Sequence, residues 1–295
     1  MTNRLELNWK VDGFVDEQRY YCSETSIDPL SPPLPKATLA SDVRSYIDAD
    51  VVIDKMYYVA VGSVKNGAEK LSNVASIYTG DVYRANVKAL LHFDGANGST
   101  SINDDTGRIW TSSVATIDTS TYAFGGASVY FNGTGSYITT AYSTDFELET
   151  SDFTIELYLN PTSDIQGTIL TNRDGGDRGW LLRREVGGGL GFYYIGSSGS
   201  SLVTASSAIP LNTWTHIAVT RLGTILRIFI NGVLVSSLLN LVQSSPSLKA
   251  LSIGSTRGDG SLYRYFKGNM DELRITKGVA RYTQDFTPQA HPFMY

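Results

Sequence analysis

Cysteine and histidine are scarce in this sequence, and each scarcity excludes a class of site. A single cysteine, Cys22, among 295 residues excludes a framework of internal disulfide bonds. The histidines, His92, His216 and His291, stand far apart and have no second metal ligand at a suitable spacing. The Gly-x-Ser-x-Gly, Gly-Lys-Ser/Thr and Cys-x-x-Cys patterns are absent as well. We therefore expect no nucleophile elbow, no phosphate-binding loop and no zinc site.

Basic charge and long apolar segments are also in short supply. The 29 acidic residues exceed the 24 lysines and arginines, whereas a nucleic-acid-binding surface requires a basic field. No apolar run approaches the roughly 20 residues that span a bilayer. The opening MTNRLELNWKVDG lacks the apolar core of a secretory signal. We expect no nucleic-acid partner, no membrane insertion and no export through a standard signal.

The residues that are abundant favour strands and turns. Hydrophobic residues make up 42% of the chain, enough for a buried core, and there are 28 glycines and 18 tyrosines. Valine, isoleucine and tyrosine suit half-buried pleated strands, whereas glycine, asparagine and serine suit turns. Good helix formers rarely cluster. The composition predicts an all-β protein.

Residues 1–80 are predicted to form a small β domain with a tight hairpin at Asn66-Gly67, since both residues tolerate positive φ. LELNWKV, YYVAVGSVKNG and LSNVASIYTGD resemble strands of a fibronectin type III domain, which implies an Ig-like sandwich. No segment before LELNWKV supplies the usual first strand. Either the domain has six strands, or a neighbouring chain lies along its exposed edge.

Residues 81–88 are interpreted as a linker and residues 89–295 as a second β domain. Its short apolar segments, separated by turn residues, indicate a sandwich or jelly roll, and Asn231-Gly232 is the clearest hairpin signal. Several segments, in this order, resemble the concanavalin A-like lectin/glucanase superfamily in its laminin-G-like or pentraxin-like form: LLHFDGANGSTSINDDTG, FGGASVYFNGTGSYI, DFTIELYLNP, NTWTHIAVTR and FKGNMDELRITKGVARYTQDFTP. The first and last are further similar to copies of this domain in tailed-phage structural proteins.

Two adjacent carboxylates, Asp271 and Glu272, raise the question of catalysis. Side chains in a strand alternate between faces, so Asp271 should share the apolar face with Leu273 and Ile275 while Glu272 faces outward. A glycoside-cleaving pair must converge at about 5–10 Å. We therefore predict that these two residues are not a catalytic pair.

A second observation argues against an enzyme. Glucanases of the superfamily usually carry Glu-x-Asp-x-x-Glu on one strand, and no glutamate here is followed by aspartate two residues later. Glu156, in FTIELYL, stands alone on the face opposite Phe153 and Ile155, and we interpret it as a solvated or cross-strand-paired residue. We predict a protein that is not an enzyme, with polysaccharide cleavage as the third alternative.

Asp271 on an apolar face would need compensation, because burying an isolated charge is costly. The resemblance implies calcium, since many laminin-G-like and pentraxin-like domains bind Ca²⁺ where the final strand meets the loop after the first. Calcium prefers oxygen ligands, and here that arrangement assigns a structural Ca²⁺ to Asp94, Asn97, Ser99 and Asp271. The alternative is a set of hydrogen-bonded carboxylates without a metal.

Two loops that mix aromatic, arginine and aspartate residues are the predicted carbohydrate-binding elements. Sugars stack on aromatic faces and hydrogen-bond to such side chains on loops over a rigid sandwich. The alternative is that the loops are solvated connections with Trp180 in the core. The predicted contacts are Arg173, Asp174, Asp177, Trp180, Arg257, Asp259 and Tyr263.

The sequence and the resemblance together predict a phage virion protein. The leading expectation is a tail fibre or tail-tip component whose lectin-like domain binds host-surface carbohydrate, while the N-terminal domain contacts other virion proteins. The alternative is a capsid decoration or tail structural protein without specific glycan binding. A homo-oligomer is expected, because repetition strengthens weak surface binding.

Overall fold

The computed structural model describes residues 4–52, 55–173, 178–196, 199–205, 209–239, 246–256 and 264–294. Within these residues the chain forms strands and three short 3₁₀ turns but no α-helix, which confirms the all-β prediction. No helix in the described part is long and apolar enough to cross a membrane. The chain divides into two compact units, Met1–Arg84 and Ala85–Phe293.

The first unit is built from two antiparallel sheets. β3, β2, β5 and β6 form one sheet, which β7 joins by pairing with β5, and β1 pairs with β4 in the other. Leu5 of the small sheet packs with Tyr20 and Val59 of the large sheet. The strands are β1 (Leu5–Asn8), β2 (Glu17–Ser23), β3 (Ala37–Ala40), β4 (Ser45–Asp48), β5 (Met56–Lys65), β6 (Ala68–Leu71) and β7 (Ala75–Tyr78).

The hairpin predicted at Asn66-Gly67 connects β5 to β6, with φ values of 51° and 77°. The described part of this unit has seven strands rather than six, because β6 and β7 pair with different halves of β5. Among the described residues β1 pairs with β4 alone. Its other edge has no described partner, so a neighbouring chain along that edge stays a prediction.

The second unit is a sandwich of two large sheets. Its strands are β8 (Val87–Leu91), β9 (Trp110–Ser113), β10 (Thr116–Asp118), β11 (Ser128–Asn132), β12 (Tyr137–Thr140), β13 (Phe153–Pro161), β14 (Gly167–Thr171), β15 (Gly179–Arg184), β16 (Leu190–Gly196), β17 (Gly199–Ala205), β18 (Thr215–Leu222), β19 (Ile225–Ile230), β20 (Val233–Leu238), β21 (Ser252–Ile253) and β22 (Lys267–Lys277). The 3₁₀ turns are Arg84–Asn86, Thr144–Phe146 and Val186–Gly188.

The two sheets enclose the main hydrophobic core. One has the order β10-β11-β22-β13-β18-β19-β20, with β8 added against β22, and the other has the order β17-β16-β15-β14-β21-β12-β9. Alternate residues of β13, such as Ile155 and Leu157, face Phe192 and Trp180 of the opposite sheet in this core. The other side chains of β13 lie on the outer face of the eight-stranded sheet.

Residues 279–293, the C-terminal segment, cover most of that outer face. The Phe286 N–H donates to the Gly232 carbonyl at 2.9 Å, and the Phe286 ring lies 5.4 Å from that of Phe229. Gly232 belongs to the predicted Asn231-Gly232 hairpin, and a Cβ there would collide with the Phe286 carbonyl. The part of the outer face under this segment is therefore buried rather than solvated.

Candidate functional site

Asp271 and Glu272 lie on the same face of the sheet, so the prediction that they point to opposite faces is wrong. Glu156 pairs with Arg274, and Tyr158 pairs with Asp271. One residue of β13 lies between these two pairs, but two residues of β22 do, so β22 carries one extra residue there. Glu272 adopts a φ of 52° at this point. Such a bulge reverses the alternation, and both carboxylates project from the outer face.

The bulge also changes the surroundings of Asp271. Leu273 and Ile275 point into the main core, and Asp271 does not share their face. The bulge lies where β22 exchanges one neighbour for another, since residues 267–270 pair with β11 and residues 273–276 pair with β8. The loops that follow β8 and β10 meet Asp271 at this exchange point.

Asp271 is fully buried and only half of its carboxylate has partners. Oδ2 accepts the backbone N–H groups of Ala123 and Phe124 at 2.8 and 3.0 Å, whereas Oδ1 is buried without a partner. Burial raises the pKa of Asp271 to about 8, against the lowering effect of these N–H groups, and the charges of Glu272 and Asp94 add to the rise. Backbone donors thus supply part of the compensation, as the metal-free alternative predicted.

Asp94 presents a second carboxylate oxygen of the same kind. Its Oδ1 is also buried without a partner, and burial raises the pKa of this carboxyl. Gly125, with a φ of 64°, leaves the room that Asp94 occupies, because a Cβ there would collide with both carboxylate oxygens. Two buried and unpartnered carboxylate oxygens whose charges repel each other suit a hard cation such as Ca²⁺.

The other two predicted calcium ligands are engaged in turns. Asn97 Oδ1 accepts the Thr119 N–H at 3.3 Å, and Ser99 Oγ accepts the Ser101 N–H at 3.1 Å. Within the described residues no group of three or more histidine, cysteine, aspartate or glutamate side chains is placed to hold a metal. The side-chain donor set that fits calcium is therefore Asp94 and Asp271.

Glu272 holds a histidine and the C-terminal segment. Its Oε1 lies 2.8 Å from His92 Nδ1, and its Oε2 accepts the Phe293 N–H at 2.6 Å. His92 Nε2 lies 3.2 Å from Asp105. Burial lowers the pKa of His92, but the hydrogen bonds and charges of Asp105 and Glu272 outweigh burial and bring that pKa to about 10. His92 is therefore a charged partner of a buried carboxylate.

Glu156 is paired across strands as predicted, but it is fully buried rather than solvated. Its Oε1 accepts from Arg274 Nε at 2.9 Å, and its Oε2 accepts from the Tyr282 hydroxyl at 2.9 Å. Burial raises the pKa of Glu156, but the charge of Arg274, and then the hydrogen bond of His216 and the charge of Arg281, outweigh burial and hold that pKa at about 2. This cluster fastens the C-terminal segment to the sheet.

Three acidic side chains of the outer face are closed to a substrate. Glu156, Asp271 and Glu272 are all fully buried, and each accepts hydrogen bonds from neighbouring strands, loops or the C-terminal segment. A glycosidic bond would have to reach them through the packed chain. Their arrangement suits structural pairing rather than acid–base chemistry.

The predicted carbohydrate loops are only partly described. Asp174, Asp177, Arg257, Asp259 and Tyr263 lie outside the described residues. Arg173 is half-buried, and its N–H donates to Thr171 Oγ1 at 3.0 Å.

Trp180 is not available for stacking on a sugar, so its assignment as a contact is wrong. The side chain is fully buried, its indole N–H donates to the Phe146 carbonyl at 2.8 Å, and its ring stacks on Phe192. It belongs to the core, which is the alternative left open for it.

An open polar groove lies on the same outer face, beyond the part covered by the C-terminal segment. Its volume is about 500 Å³. Asn160 of β13 and Asn269 of β22 form its floor as a directly opposed cross-strand pair. The walls come from the loop after β10 and from the loop before β18. The lining residues are Ser120, Thr121, Tyr122, Asn160, Thr162, Asn212, Trp214 and Asn269.

The groove combines aromatic surface with hydrogen-bonding groups. Tyr122 is 48% exposed, and Trp214 is half-buried with one side against the Tyr158 cluster. Asn160 is only 7% exposed, yet its Oδ1 has no partner. None of the described residues that line the groove carries a charged side chain. A few polar groups beside aromatic faces are the usual composition of a small-molecule site.

Sequence reasoning missed this groove. Its residues come from four separate segments, and each is an ordinary turn or strand-end residue by itself. The available signal was the pair of asparagines at the end of β13 and the start of β22, on the outward side of two predicted strands. Their opposition depends on strand pairing, which the residues alone did not indicate.

A protein-family model matches residues 132–281, which is just over half of the chain. The model, Laminin_G_3, describes the concanavalin A-like lectin/glucanases superfamily. This chain belongs to that superfamily. The match confirms the resemblance stated for the second β domain. No curated protein sequence matches the chain.

Some solved structures are also similar to this chain at low identity. Domain 4 of the extracellular arabinanase AbnA from Geobacillus stearothermophilus, in complex with arabinotriose, is 21% identical, with a TM-score of 0.48 over 65% of this chain and 94% of that one. The Ruminococcus gnavus IT-sialidase CBM40 bound to sialyllactose is 17% identical, with a TM-score of 0.39 over 43% and 76%. The botulinum neurotoxin serotype D binding domain is 13% identical, with a TM-score of 0.48 over 68% and 49%.

Proposed function

We propose that the second unit is a carbohydrate-binding domain without catalytic activity, and that the polar groove is its sugar site. The observation that carries this proposal is Asn160 Oδ1, an almost fully buried acceptor without a protein partner at the floor of an open groove. Tyr122 and Trp214 offer aromatic surface on either side of it. Membership in a superfamily of lectins and glucanases supports the same class of ligand.

The absence of catalysis is part of the proposal. Glu156, Asp271 and Glu272 are buried and paired, and none of the described groove-lining residues is an acid. Asp118, next to the groove, accepts hydrogen bonds from Ser120 and Asn269. A groove of amides, hydroxyls and aromatic rings can hold a sugar, but it offers no general acid for a leaving oxygen. Release of reducing sugar from a polysaccharide substrate would contradict this part.

Glycan retention by variants tests the groove against the predicted loops. Tyr122→Ala and Asn160→Ala should each weaken retention on a glycan array about tenfold or more, since each removes one contact. Tyr142→Ala is the matched control, because Tyr142 is 42% exposed and is not part of the groove. Loss of retention in Arg173→Ala, Asp174→Ala and Tyr263→Ala, with the groove variants unchanged, would move the site to the loops.

We propose a structural Ca²⁺ on Asp94 and Asp271. Their two buried and unpartnered oxygens support it, and the cation would offset the repulsion between the two charges. Ca²⁺ at about 100 times its Kd should add about 2.7 kcal/mol to the free energy of unfolding, and chelator should reverse the gain. Asp271→Asn should abolish the response. A wild-type melting temperature that ignores both calcium and chelator would rule the site out.

We propose that the protein is part of a tailed-phage virion, as a tail fibre or tail-tip component. The support is the similarity of its VKALLHFDG and ITKGVARYTQDFTP segments to phage copies of the domain. The two antiparallel sheets of the first unit support a fibronectin type III-like domain that contacts other virion proteins. Electron microscopy of labelled particles tests the location, and a signal confined to the capsid would favour the decoration alternative. Light scattering of the purified chain tests the expected homo-oligomer.

A further inference from the structure

We propose that the groove selects neutral sugars and rejects acidic ones, an inference that rests on the proposed carbohydrate-binding function. The similar structures do not decide this, because one is bound to sialyllactose, which is acidic, and another to arabinotriose, which is neutral. The choice depends on which hydrogen-bonding groups of the groove remain available to a ligand.

Asn269 has no donor left for a ligand. Its Nδ2 donates to Asp118 Oδ2 at 3.0 Å and to Ser128 Oγ at 2.9 Å. A carboxylate only accepts, so the amide nitrogen must face Asp118, and an asparagine amide has two N–H groups. Both are used. The group of Asn269 that remains for a sugar is its carbonyl oxygen, which is an acceptor.

Ser120 is held in the same way by the same carboxylate. Its hydroxyl donates to Asp118 Oδ1 at 2.6 Å, and its backbone N–H donates to that oxygen at 2.8 Å. A serine hydroxyl has one O–H, so the lone pairs of Ser120 are what it can offer to a ligand. Asn160 adds a third acceptor, the unpartnered Oδ1, which lies buried at the groove floor and becomes available when the amide turns towards a ligand.

Asp118 itself places a negative charge directly behind two groove residues. Burial raises the pKa of Asp118, but the hydrogen bonds from Ser120 and Asn269 outweigh burial and keep that pKa below its usual value. Asp118 is therefore ionised at neutral pH. The other described polar groups of the groove, such as those of Thr162 and Asn212, are neutral, so no cationic side chain among the described lining residues faces a second negative charge.

The three acceptors and the charge behind them distinguish the two classes of sugar. A sugar hydroxyl donates a hydrogen bond, so a neutral sugar satisfies Asn160, Asn269 and Ser120. The carboxylate or sulfate of an acidic sugar can only accept, so wherever that group takes the place of a hydroxyl it leaves an acceptor unpaired and stands near Asp118 with the same sign of charge. Discrimination is strongest where buried polar groups of a site would be left unpaired.

The experiment begins with an array of neutral, sialylated, sulfated and uronic acid glycans. Any neutral glycan retained is then compared by calorimetry with its counterpart that carries a carboxylate on the terminal sugar. We expect retention of neutral glycans only and at least tenfold weaker binding of the acidic counterpart. In Asp118→Asn, a change outside the groove lining, the ratio of neutral to acidic glycan affinity should fall. The variant should improve binding of the acidic glycan by more than it weakens binding of the neutral one.

Each outcome decides a separate question. Loss of neutral binding in Asn160→Ala but not in Tyr142→Ala, with both variants folded by circular dichroism, supports the inference. Retention of acidic glycans that depends on Asn160 overturns the choice of neutral sugars and leaves the proposed function standing. Neutral binding that Asn160→Ala leaves unchanged overturns the groove as its origin. Retention of no glycan at all overturns the proposed function itself.

Discussion

Replacing Arg274 with methionine should destabilise the second unit strongly, because it removes the principal partner of a buried carboxylate. The Glu156 and Arg274 side chains are 0% and 2% exposed, and Arg274 Nη2 lies 2.8 Å from Glu156 Oε1. Leaving one member of a buried ion pair without its partner costs about 3–5 kcal/mol. Methionine keeps much of the apolar stem, so the loss reports mainly the missing charge partner of Glu156, which retains the Tyr282 hydroxyl at 2.9 Å and Arg281 Nε at 3.8 Å.

Urea denaturation followed by tryptophan fluorescence measures this loss. Trp110, Trp180 and Trp214 lie in the second unit, so the signal comes mainly from it. With a urea dependence of about 1–3 kcal/mol per M, the midpoint should fall by about 2 M. Lys55→Met is the control, since its salt bridge with Glu24 is 47% and 50% exposed, and it should leave the midpoint unchanged.

A double variant separates the stranded charge from lost packing. Glu156→Gln combined with Arg274→Met removes the buried charge that has lost its principal partner, so the double variant should be more stable than Arg274→Met alone. A loss below about 1 kcal/mol in Arg274→Met would refute the reasoning, given the cost stated for such pairs. So would a double variant that is no more stable than the single one.

Three further predictions follow from particular residues. The pKa of Glu156 is held at about 2 against an ordinary 4.5, so its contribution to the free energy of unfolding should be complete above about pH 4.5 and lost as pH falls towards 2. Acid denaturation of wild type and Glu156→Gln would show this, and parallel curves would contradict it. Gly254→Ala should lower the free energy of unfolding by roughly 1–3 kcal/mol, because Gly254 has a φ of 85° and a Cβ would strike the Phe131 ring. The melting temperature should fall with it, and an unchanged melting temperature would count against this prediction. Trp180→Phe should cost about 1–3 kcal/mol by removing a buried hydrogen bond and part of a core ring, although the Phe146 carbonyl keeps its Asn172 donor. Glycan retention should stay the same, and a selective loss of retention would restore Trp180 as a contact.

The acidic residues of β22 show where strand alternation, predicted from neighbouring residues, fails. Alternation along MDELRIT correctly separates Met270 from Asp271, but it fails at Glu272, because the bulge arises from the register of β22 against β13. That register joins segments more than 100 residues apart. The prediction that Asp271 and Glu272 are not a catalytic pair stays a prediction, and its stated reason, opposite faces, was wrong.

The amino-acid sequence by itself determined the features that depend on neighbouring residues. The all-β class, the hairpins at Asn66-Gly67 and Asn231-Gly232 and the superfamily of the second unit follow from local turn chemistry and from ordered motifs. Tertiary structure alone decided the burial of Glu156, the location of Trp180 in the core and the opposition of Asn160 and Asn269. The physical reason is that exposure and hydrogen-bond availability depend on what packs against a side chain. Here that neighbour is a distant strand, a loop or the C-terminal segment.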